Sequence, residues 1–198
     1  MSKNKNRGNI FCLMGKSASG KDTVYKELLK VAHIKPVVSY TTRPMRDGEI
    51  DGKEYFFVTE KQLTEMQDKL IEKRDYYTTK GHWIYATIDD GQFDKSSNML
   101  LITAPDQFKA IQEYFGKDRV KQIYVTVDDG VRLQRSLCRE MTQTNPNYSE
   151  MCRRFLADEQ DFKDVDKTMS FENDDLYKCI ANIISKTNIK LKKQCTVN

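Results

Sequence analysis

The sequence is poor in the residues that build metal centres and disulfide frameworks. Its two histidines, His33 and His82, lie far apart, and its five cysteines include no C-x-x-C pair. Such spacing argues against a zinc site and against a set of paired disulfides. Cys12 and Cys138 lie within apolar patterns, so we predict that both are small core residues.

Long apolar runs are also missing. None approaches the roughly 18 residues that a membrane-spanning helix needs, and residues 1–9 lack the apolar stretch of a secretory signal. We therefore expect a cytoplasmic protein without membrane contact. The net charge of +4 is carried by residues 1–9 and 188–198, whose six lysines and arginines leave −2 for the remainder. We expect basic tails there rather than a nucleic-acid-binding surface, while the oligomeric state stays open.

The sequence does contain a regular alternation of apolar runs and amphipathic patterns. Strands are predicted at 10–14, 37–40, 54–58, 99–103, 121–127 and 168–171. Helices are predicted at 21–33, 59–70, 105–116, 129–141, 148–162 and 175–185. This order indicates an α/β fold over residues 10–187, with a parallel sheet flanked by helices on both faces. A chain of 198 residues fits one such domain with an inserted lobe better than two independent domains.

The most informative local motif lies between the first predicted strand and the first predicted helix. Residues 15–23 read Gly-Lys-Ser-Ala-Ser-Gly-Lys-Asp-Thr, which matches the phosphate-binding pattern Gly-x4-Gly-Lys. Glycines allow backbone N–H groups to surround phosphate oxygens, and the helix N-terminus adds positive potential. We predict that ATP binds to Gly15, Ser17, Ala18, Ser19, Gly20, Lys21, Asp22 and Thr23. Lys21 is the predicted catalytic cation, because it can offset the negative charge that grows during phosphoryl transfer.

Asp22 departs from this pattern, in which a Ser or Thr after the lysine supplies a hydroxyl to Mg²⁺. Thr23 cannot simply substitute, because one step along a helix turns a side chain by about 100°. Two roles stay open for Asp22. It holds Mg²⁺ through water, or it is only a favourable acid in the first helical turn.

A second motif follows at residues 39–58, which read SYTTRPMRDGEIDGKEYFFV. Arg43 and Arg46 lie on a loop that leaves a predicted strand, where two guanidinium forks can grip a dianionic phosphate. Tyr55 adds a hydroxyl donor without adding charge. The stretch resembles the acceptor-binding signature of guanylate kinases, S-x-T-T-R-x-x-R-x-G-E-x-x-G-x-x-Y-x-F, at every fixed position.

The resemblance implies an acceptor site for GMP or dGMP. The ligands of the acceptor phosphate would be Ser39, Arg43, Arg46, Tyr55 and Tyr85, and those of the base would be Glu72 and Thr87. Glu49 matches the family's acid that orders the acceptor loop, and Arg46 also counts as catalytic. A carboxylate at position 72 suits guanine, because guanine presents two adjacent N–H donors and adenine does not.

The resemblance also implies a P-loop NTPase-type core, an acceptor-binding insertion at about 40–92 and a helical lid at about 130–160. The lid arginines that reach the donor phosphates would be Arg135, Arg139 and Arg154, and Asn173 would lie near the donor adenine. Arg132 and Arg153 point elsewhere in this interpretation and are predicted to be solvated. The implied reaction is ATP + GMP → ADP + GDP with Mg²⁺ as cofactor and no covalent enzyme intermediate.

Several positions depart from the family pattern. Segment 75–83 is longer than usual, Ala86 replaces a glycine, and strand 99–103 lacks the family's acids. Tyr85 has a second interpretation, as a packing residue in an edge strand. The departures leave open a kinase of the same fold with a different or relaxed acceptor. A guanylate-kinase-like module that binds phosphopeptides without catalysis is a further alternative, although such modules usually lack an intact phosphate-binding loop.

Overall fold

The computed structural model describes residues 7–78 and 81–193 of the chain. Predictions about Lys3, Lys5 and Cys195 lie outside the described residues, as does the part of segment 75–83 at 79–80. Within the described ranges, no helix is long and apolar enough to cross a membrane.

Strands and helices alternate along most of the chain. The strands are β1 (Ile10–Met14), β2 (Lys35–Pro36), β3 (Tyr40–Thr41), β4 (Phe56–Phe57), β5 (Leu70–Thr78), β6 (Gly81–Ile88), β7 (Met99–Ile102), β8 (Val120–Thr126) and β9 (Ser170–Glu172). The helices are α1 (Lys21–Val31), α2 (Glu60–Glu65), α3 (Pro105–Phe115), α4 (Asp129–Met141), α5 (Tyr148–Asp161) and α6 (Leu176–Thr187). A short 3₁₀ turn, Gln67–Lys69, separates α2 from β5.

The strands form two sheets. The five-stranded sheet has the order β2-β7-β1-β8-β9, with parallel pairing of β2 with β7 and of β8 with β9. This sheet and the helices between its strands confirm the predicted α/β fold class. The second sheet has the order β4-β3-β6-β5 and is mixed, because β3 is parallel to β4 and β6 is antiparallel to both neighbours. The sequence-based prediction did not include this mixed sheet.

The chain divides into two compact units. Among the described residues, the first comprises Lys35–Leu101, Asp106–Lys121 and residues 7–10, and it holds the mixed sheet and α2. The second comprises Phe11–Ile34, Ile102–Pro105 and residues 122–193, and it holds α1, α4, α5 and α6.

Alternate side chains of β6 contribute to the apolar core of the first unit. The side chains of Ile84, Ala86 and Ile88 in β6 are buried, as expected for alternate residues on one face of a strand. They belong to one apolar cluster with Tyr40 and Leu63. This cluster holds β6 in place and thereby positions Tyr85 and Thr87, which alternate with the three buried residues along the strand.

In the second unit, buried helix faces accompany a buried strand. The whole of β1 is buried, α1 buries Val24 and Leu28 four residues apart, and α6 buries Ile180 and Ile183. Spacings of three and four residues place side chains on one face of a helix. The loop between β1 and α1 is therefore held at both ends by buried elements.

Most predicted elements are confirmed to within a few residues. Helix α4 has the predicted bounds, and the Thr59 cap of α2 is confirmed because its hydroxyl accepts a hydrogen bond from the Gln62 N–H. The predicted end of that helix is wrong, since α2 stops at Glu65 and Leu70 begins β5.

Two further predictions are wrong. Residues 37–40 do not form one strand, because β2 ends at Pro36 in one sheet and β3 begins at Tyr40 in the other. Cys12 is fully buried as predicted, but Cys138 is exposed. The buried face of α4 carries Arg132 and Ser136, and two further steps of about 100° turn Cys138 away from it.

Candidate active site

The predicted phosphate-binding loop occupies the turn between β1 and α1. Gly20 has a φ of 87°, in the left-handed region that favours glycine, and a Cβ there would lie 2.3 Å from Asn173 Nδ2. A Cβ at Gly15 would lie 2.5 Å from Ser19 Oγ and 2.9 Å from the Val125 carbonyl oxygen. The tight path of the loop therefore requires both glycines.

The middle of the loop holds a strained residue and an unpaired hydroxyl. Ala18 has a φ of 60°, and a non-glycine residue in this region is strained by roughly 1–2 kcal/mol. The buried Ser19 hydroxyl has no hydrogen-bond partner among the described residues, and it borders an open pocket of about 400 Å³ that Lys16 and Thr126 also line. Strain and an unpaired buried hydroxyl beside a pocket are typical of a loop that binds a ligand.

Asn173 fastens the loop to the end of β9. Its side chain is 5% exposed, its Nδ2 donates to the Ser19 carbonyl at 2.8 Å, and its backbone N–H donates to the Thr126 carbonyl at 2.7 Å. Its own carbonyl accepts a hydrogen bond from Arg135 Nη2 at 3.2 Å. The structure thus places Asn173 against the phosphate-binding loop, and its predicted contact with adenine stays a prediction.

The first half of the loop is held by two acids of α5. The Ser17 N–H donates to Asp158 Oδ2 at 2.7 Å, and Lys16 Nζ donates to both oxygens of Glu159 at 2.6 Å. Lys16, and to a lesser degree Arg132, holds the pKa of Glu159 below its ordinary value. Because Asp158 engages the Ser17 N–H, this amide is occupied in the present arrangement.

Arg132 joins α4, α5 and the loop, which contradicts its predicted solvation. Its side chain is 1% exposed and pairs with Asp129, Asp158 and Glu159 at 2.5 to 3.1 Å. Its Nε donates to the Ser17 carbonyl at 3.1 Å. This one guanidinium donates to three carboxylates and a backbone carbonyl, and sequence spacing along α4 gives no sign of partners in α5.

The three predicted lid arginines lie in different surroundings. Arg135 lies beside the phosphate-binding loop, because a Cβ at Gly20 would lie 3.6 Å from its Nη1. Arg139 is exposed on α4. Arg154 is half exposed and pairs with Glu150, which Arg153 also contacts, and these two arginines lower the pKa of Glu150 to about 2. Arg153 is solvated as predicted.

Lys21 and Asp22 begin α1. Lys21 Nζ lies 3.7 Å from Asp22 Oδ2, and the carboxylate is 68% exposed. Within the described part of the chain, no cluster of three or more His, Cys, Asp or Glu side chains could hold a metal ion. Asp22 nevertheless fits Mg²⁺ chemically, because this ion commonly binds through one or two carboxylates, water and substrate phosphates.

In the first unit, Arg43 is almost fully engaged by its own loop. Its side chain is 6% exposed, and its Nη1 and Nη2 donate to the two oxygens of Glu49 at 2.8 and 2.6 Å. Further hydrogen bonds run to the Pro44 carbonyl and to the Tyr85 hydroxyl. Four of the five guanidinium N–H groups are thus occupied. Arg43 organises this loop and keeps at most one N–H for a ligand.

The pairing of Glu49 with Arg43 should make the stability of the protein depend on pH. Arg43, with help from the Arg46 N–H, lowers the pKa of Glu49 from 4.5 to about 2. Because folding lowers this pKa, the stabilising contribution should be complete above about pH 4.5 and should be lost as the pH falls towards 2. Unfolding free energies of the wild type and Glu49→Gln should therefore differ above pH 4.5 and converge near pH 2. The assignment would be contradicted if the difference between the two unfolding free energies stayed constant with pH. It would also be contradicted if Glu65→Gln on α2 changed the unfolding free energy in the same way.

Aromatic rings surround Arg43. The Tyr55 ring lies 5.1 Å from the Arg43 guanidinium carbon and meets the Tyr85 ring edge-on at 5.4 Å. Tyr85 lies in β6, an inner strand of the mixed sheet, so its interpretation as an edge-strand residue is wrong. Arg46 is exposed, and Ser39 is half-buried beside β3. The structure thus brings Arg43, Glu49, Tyr55 and Tyr85 together, with Arg46 at the solvent side.

Glu72 and Thr87 face each other across β5 and β6. They are partners in the strand register, and the Thr87 hydroxyl donates to Glu72 Oε1 at 2.5 Å. Glu72 is 8% exposed, and burial raises its pKa while Thr87 and Gln107 oppose that rise. A buried carboxylate between two strands is an acceptor for paired N–H donors.

Gln107 is a neighbour of Glu72 that sequence reasoning missed. It lies in the first turn of α3, and its Nε2 lies 3.1 Å from each oxygen of Glu72. Its spacing of four residues from the apolar Ile111 predicts a shared face of α3, but nothing in the sequence connects that face with Glu72.

Comparison with known proteins covers most of the chain. The family model "Guanylate kinase" matches residues 7–187. A guanylate kinase of Legionella pneumophila is 44% identical over 81 residues, or 39% of this chain and 37% of that protein. One of Oceanobacillus iheyensis is 34% identical over 95 residues, or 44% of this chain and 46% of that protein. The chain thus spans less than half the length of these curated relatives.

A solved structure shares the fold. The crystal structure of guanylate kinase from Anaplasma phagocytophilum superposes with a TM-score of 0.66 at 20% identity, covering 92% of this chain and 86% of that chain. At this identity the likeness shows the fold alone, whereas the family model extends over nearly the whole described chain. On that match, the chain belongs to the guanylate kinase family.

Proposed function

We propose that this protein transfers the γ-phosphate of ATP to GMP or dGMP, with Mg²⁺ as cofactor. The observation that carries the proposal is the buried Glu72 carboxylate, paired with Thr87 in the unit that also holds the Arg43–Glu49 loop. Guanine offers N1–H and N2–H side by side to such a carboxylate, and adenine does not. Membership of the guanylate kinase family supports the same acceptor.

The acceptor phosphate would bind to the aromatic and cationic groups near Arg43. Arg46 would supply the main positive charge, because its side chain is exposed whereas Arg43 is engaged by Glu49. Arg43 would act mainly by fixing the loop, and Tyr55 and Tyr85 would contribute hydroxyl groups. Charge-assisted hydrogen bonds of this kind contribute on the order of 1.5–3 kcal/mol each.

The donor phosphates would bind to the loop at residues 15–23. Lys21 would lie against the outer phosphates, and Arg135 would add charge from beside Gly20. Arg139 and Arg154 complete the proposed catalytic set, and Arg154 must first leave Glu150, an exposed pair that costs little to break. These residues position the phosphates and neutralise charge without forming a covalent bond.

Asp22 would hold Mg²⁺ through water at the start of α1. When bound, the ion neutralises charge on the donor phosphates. Because the Asp22 carboxylate is exposed, it suits contact with the ion through water better than direct coordination of a buried ion.

An acceptor panel tests the proposal. ATP consumption should be fastest with GMP and dGMP, far slower with AMP, CMP and UMP, and should stop when Mg²⁺ is chelated. Glu72→Gln should lower kcat/KM for GMP by about 10²-fold, because the amide replaces one acceptor oxygen with a donor facing guanine. KM for ATP should change little.

Glu65→Gln is the matched control, because it makes the same chemical change on an exposed position of α2. This variant should retain wild-type kinetics. A wild-type preference for AMP, or an undiminished GMP rate in Glu72→Gln, would reject the guanine assignment.

A further inference from the structure

The Glu72 carboxylate has a second protein donor that the family resemblance does not assign. Gln107 Nε2 lies 3.1 Å from Oε1 and 3.1 Å from Oε2, while the Thr87 hydroxyl reaches Oε1 alone. Gln107 therefore spans both oxygens and fixes the rotation of the carboxylate about its last side-chain bond.

The position of Gln107 is itself fixed by α3. Ile111 anchors the same helical face in the core, and the neighbouring Asp106 pairs with Arg74 of β5 at 3.2 Å. The first turn of α3 is thus attached to the strand that carries Glu72. The Gln107 amide needs no large movement to reach the carboxylate.

We propose that Gln107 is a positioning residue for the acceptor base, holding the Glu72 carboxylate in the orientation that guanine requires. This inference rests on the proposed GMP kinase function. Gln107 acts through Glu72, whose carboxylate would accept the N–H donors of guanine.

The same hydrogen bonds oppose the rise that burial causes in the pKa of Glu72. Burial favours the protonated form of Glu72, and Asp106 on α3 acts in the same direction, whereas Arg74 on β5 favours the ionised form. Thr87 on β6 carries no charge. Gln107 donates to the ionised form, so its removal should raise the pKa of Glu72 further. A protonated Glu72 presents a donor where guanine also presents donors.

The test combines kinetics with direct titration. In Gln107→Leu, KM for GMP should rise about tenfold, because the Glu72 carboxylate loses the donor that spans both of its oxygens. KM for ATP should stay unchanged. Gln107→Lys keeps an N–H donor at this site and should restore most of the affinity.

Gln112→Leu is the matched control, because five residues along α3 turn its side chain about 140° away from Gln107. Carbon-13 NMR of the glutamate carboxyl groups, with Glu72→Gln for assignment, should show a higher Glu72 pKa in Gln107→Leu than in the wild type or Gln112→Leu. The NMR comparison requires no substrate.

The outcomes separate the two proposals. An unchanged Glu72 pKa, or a KM for GMP that does not rise in Gln107→Leu, would overturn the role of Gln107. A wild type that fails to phosphorylate GMP would overturn the proposed function, whatever the NMR titration shows. A raised Glu72 pKa together with a raised KM for GMP in Gln107→Leu would support both.

Discussion

Lys21→Ala is expected to lower kcat by about 10³-fold, because the lysine ammonium offsets charge that develops on the transferring phosphoryl group. The free energy of unfolding should change by less than about 0.5 kcal/mol, since Lys21 Nζ lies 3.7 Å from an exposed Asp22 carboxylate. Steady-state kinetics with ATP and GMP, together with urea denaturation, measure the two effects separately.

Lys26→Ala provides the comparison for this variant. Lys26 is exposed on the same helix, so the same loss of charge there should leave kcat within about twofold of wild type. A loss in kcat of less than tenfold in Lys21→Ala would contradict the role of Lys21 in phosphoryl transfer.

Arg132→Leu should destabilise the fold by about 3–5 kcal/mol, because removing one member of a buried ionic network leaves the others without compensation. Arg132 is 1% exposed, and Asp158, one of its partners, is 15% exposed. Glu159 would keep Lys16 as a partner, but Asp158 would lose its only arginine contact among the described residues. Chemical denaturation measures the loss directly.

Two variants separate this network from a general effect of removing an arginine. Arg153→Leu removes an arginine that is 59% exposed and pairs with Glu150, so it should cost less than about 1 kcal/mol. Adding Asp158→Asn to Arg132→Leu should recover part of the stability, because the amide oxygen still accepts from the Ser17 N–H without a buried charge. Equal effects of the two arginine substitutions would refute the network.

Local patterns in the sequence predicted much of this protein. The glycines at 15 and 20, the cap at Thr59 and the bounds of α4 depend on backbone geometry and on spacing within a few residues, which a sequence displays directly. The pair formed by Arg43 and Glu49 is also local, since six residues separate them. Both residues lie in one continuous motif of the sequence.

The tertiary structure alone decided the remaining features. Ser17 meets Asp158 across 141 residues, and Gln107 meets Glu72 across 35 residues, so no periodicity or motif connects them. The burial of Arg132, which a helical pattern assigned to solvent, follows from acids on a different helix. Charge and hydrogen-bond partners are set by distance in space, whereas the sequence by itself records only distance along the chain.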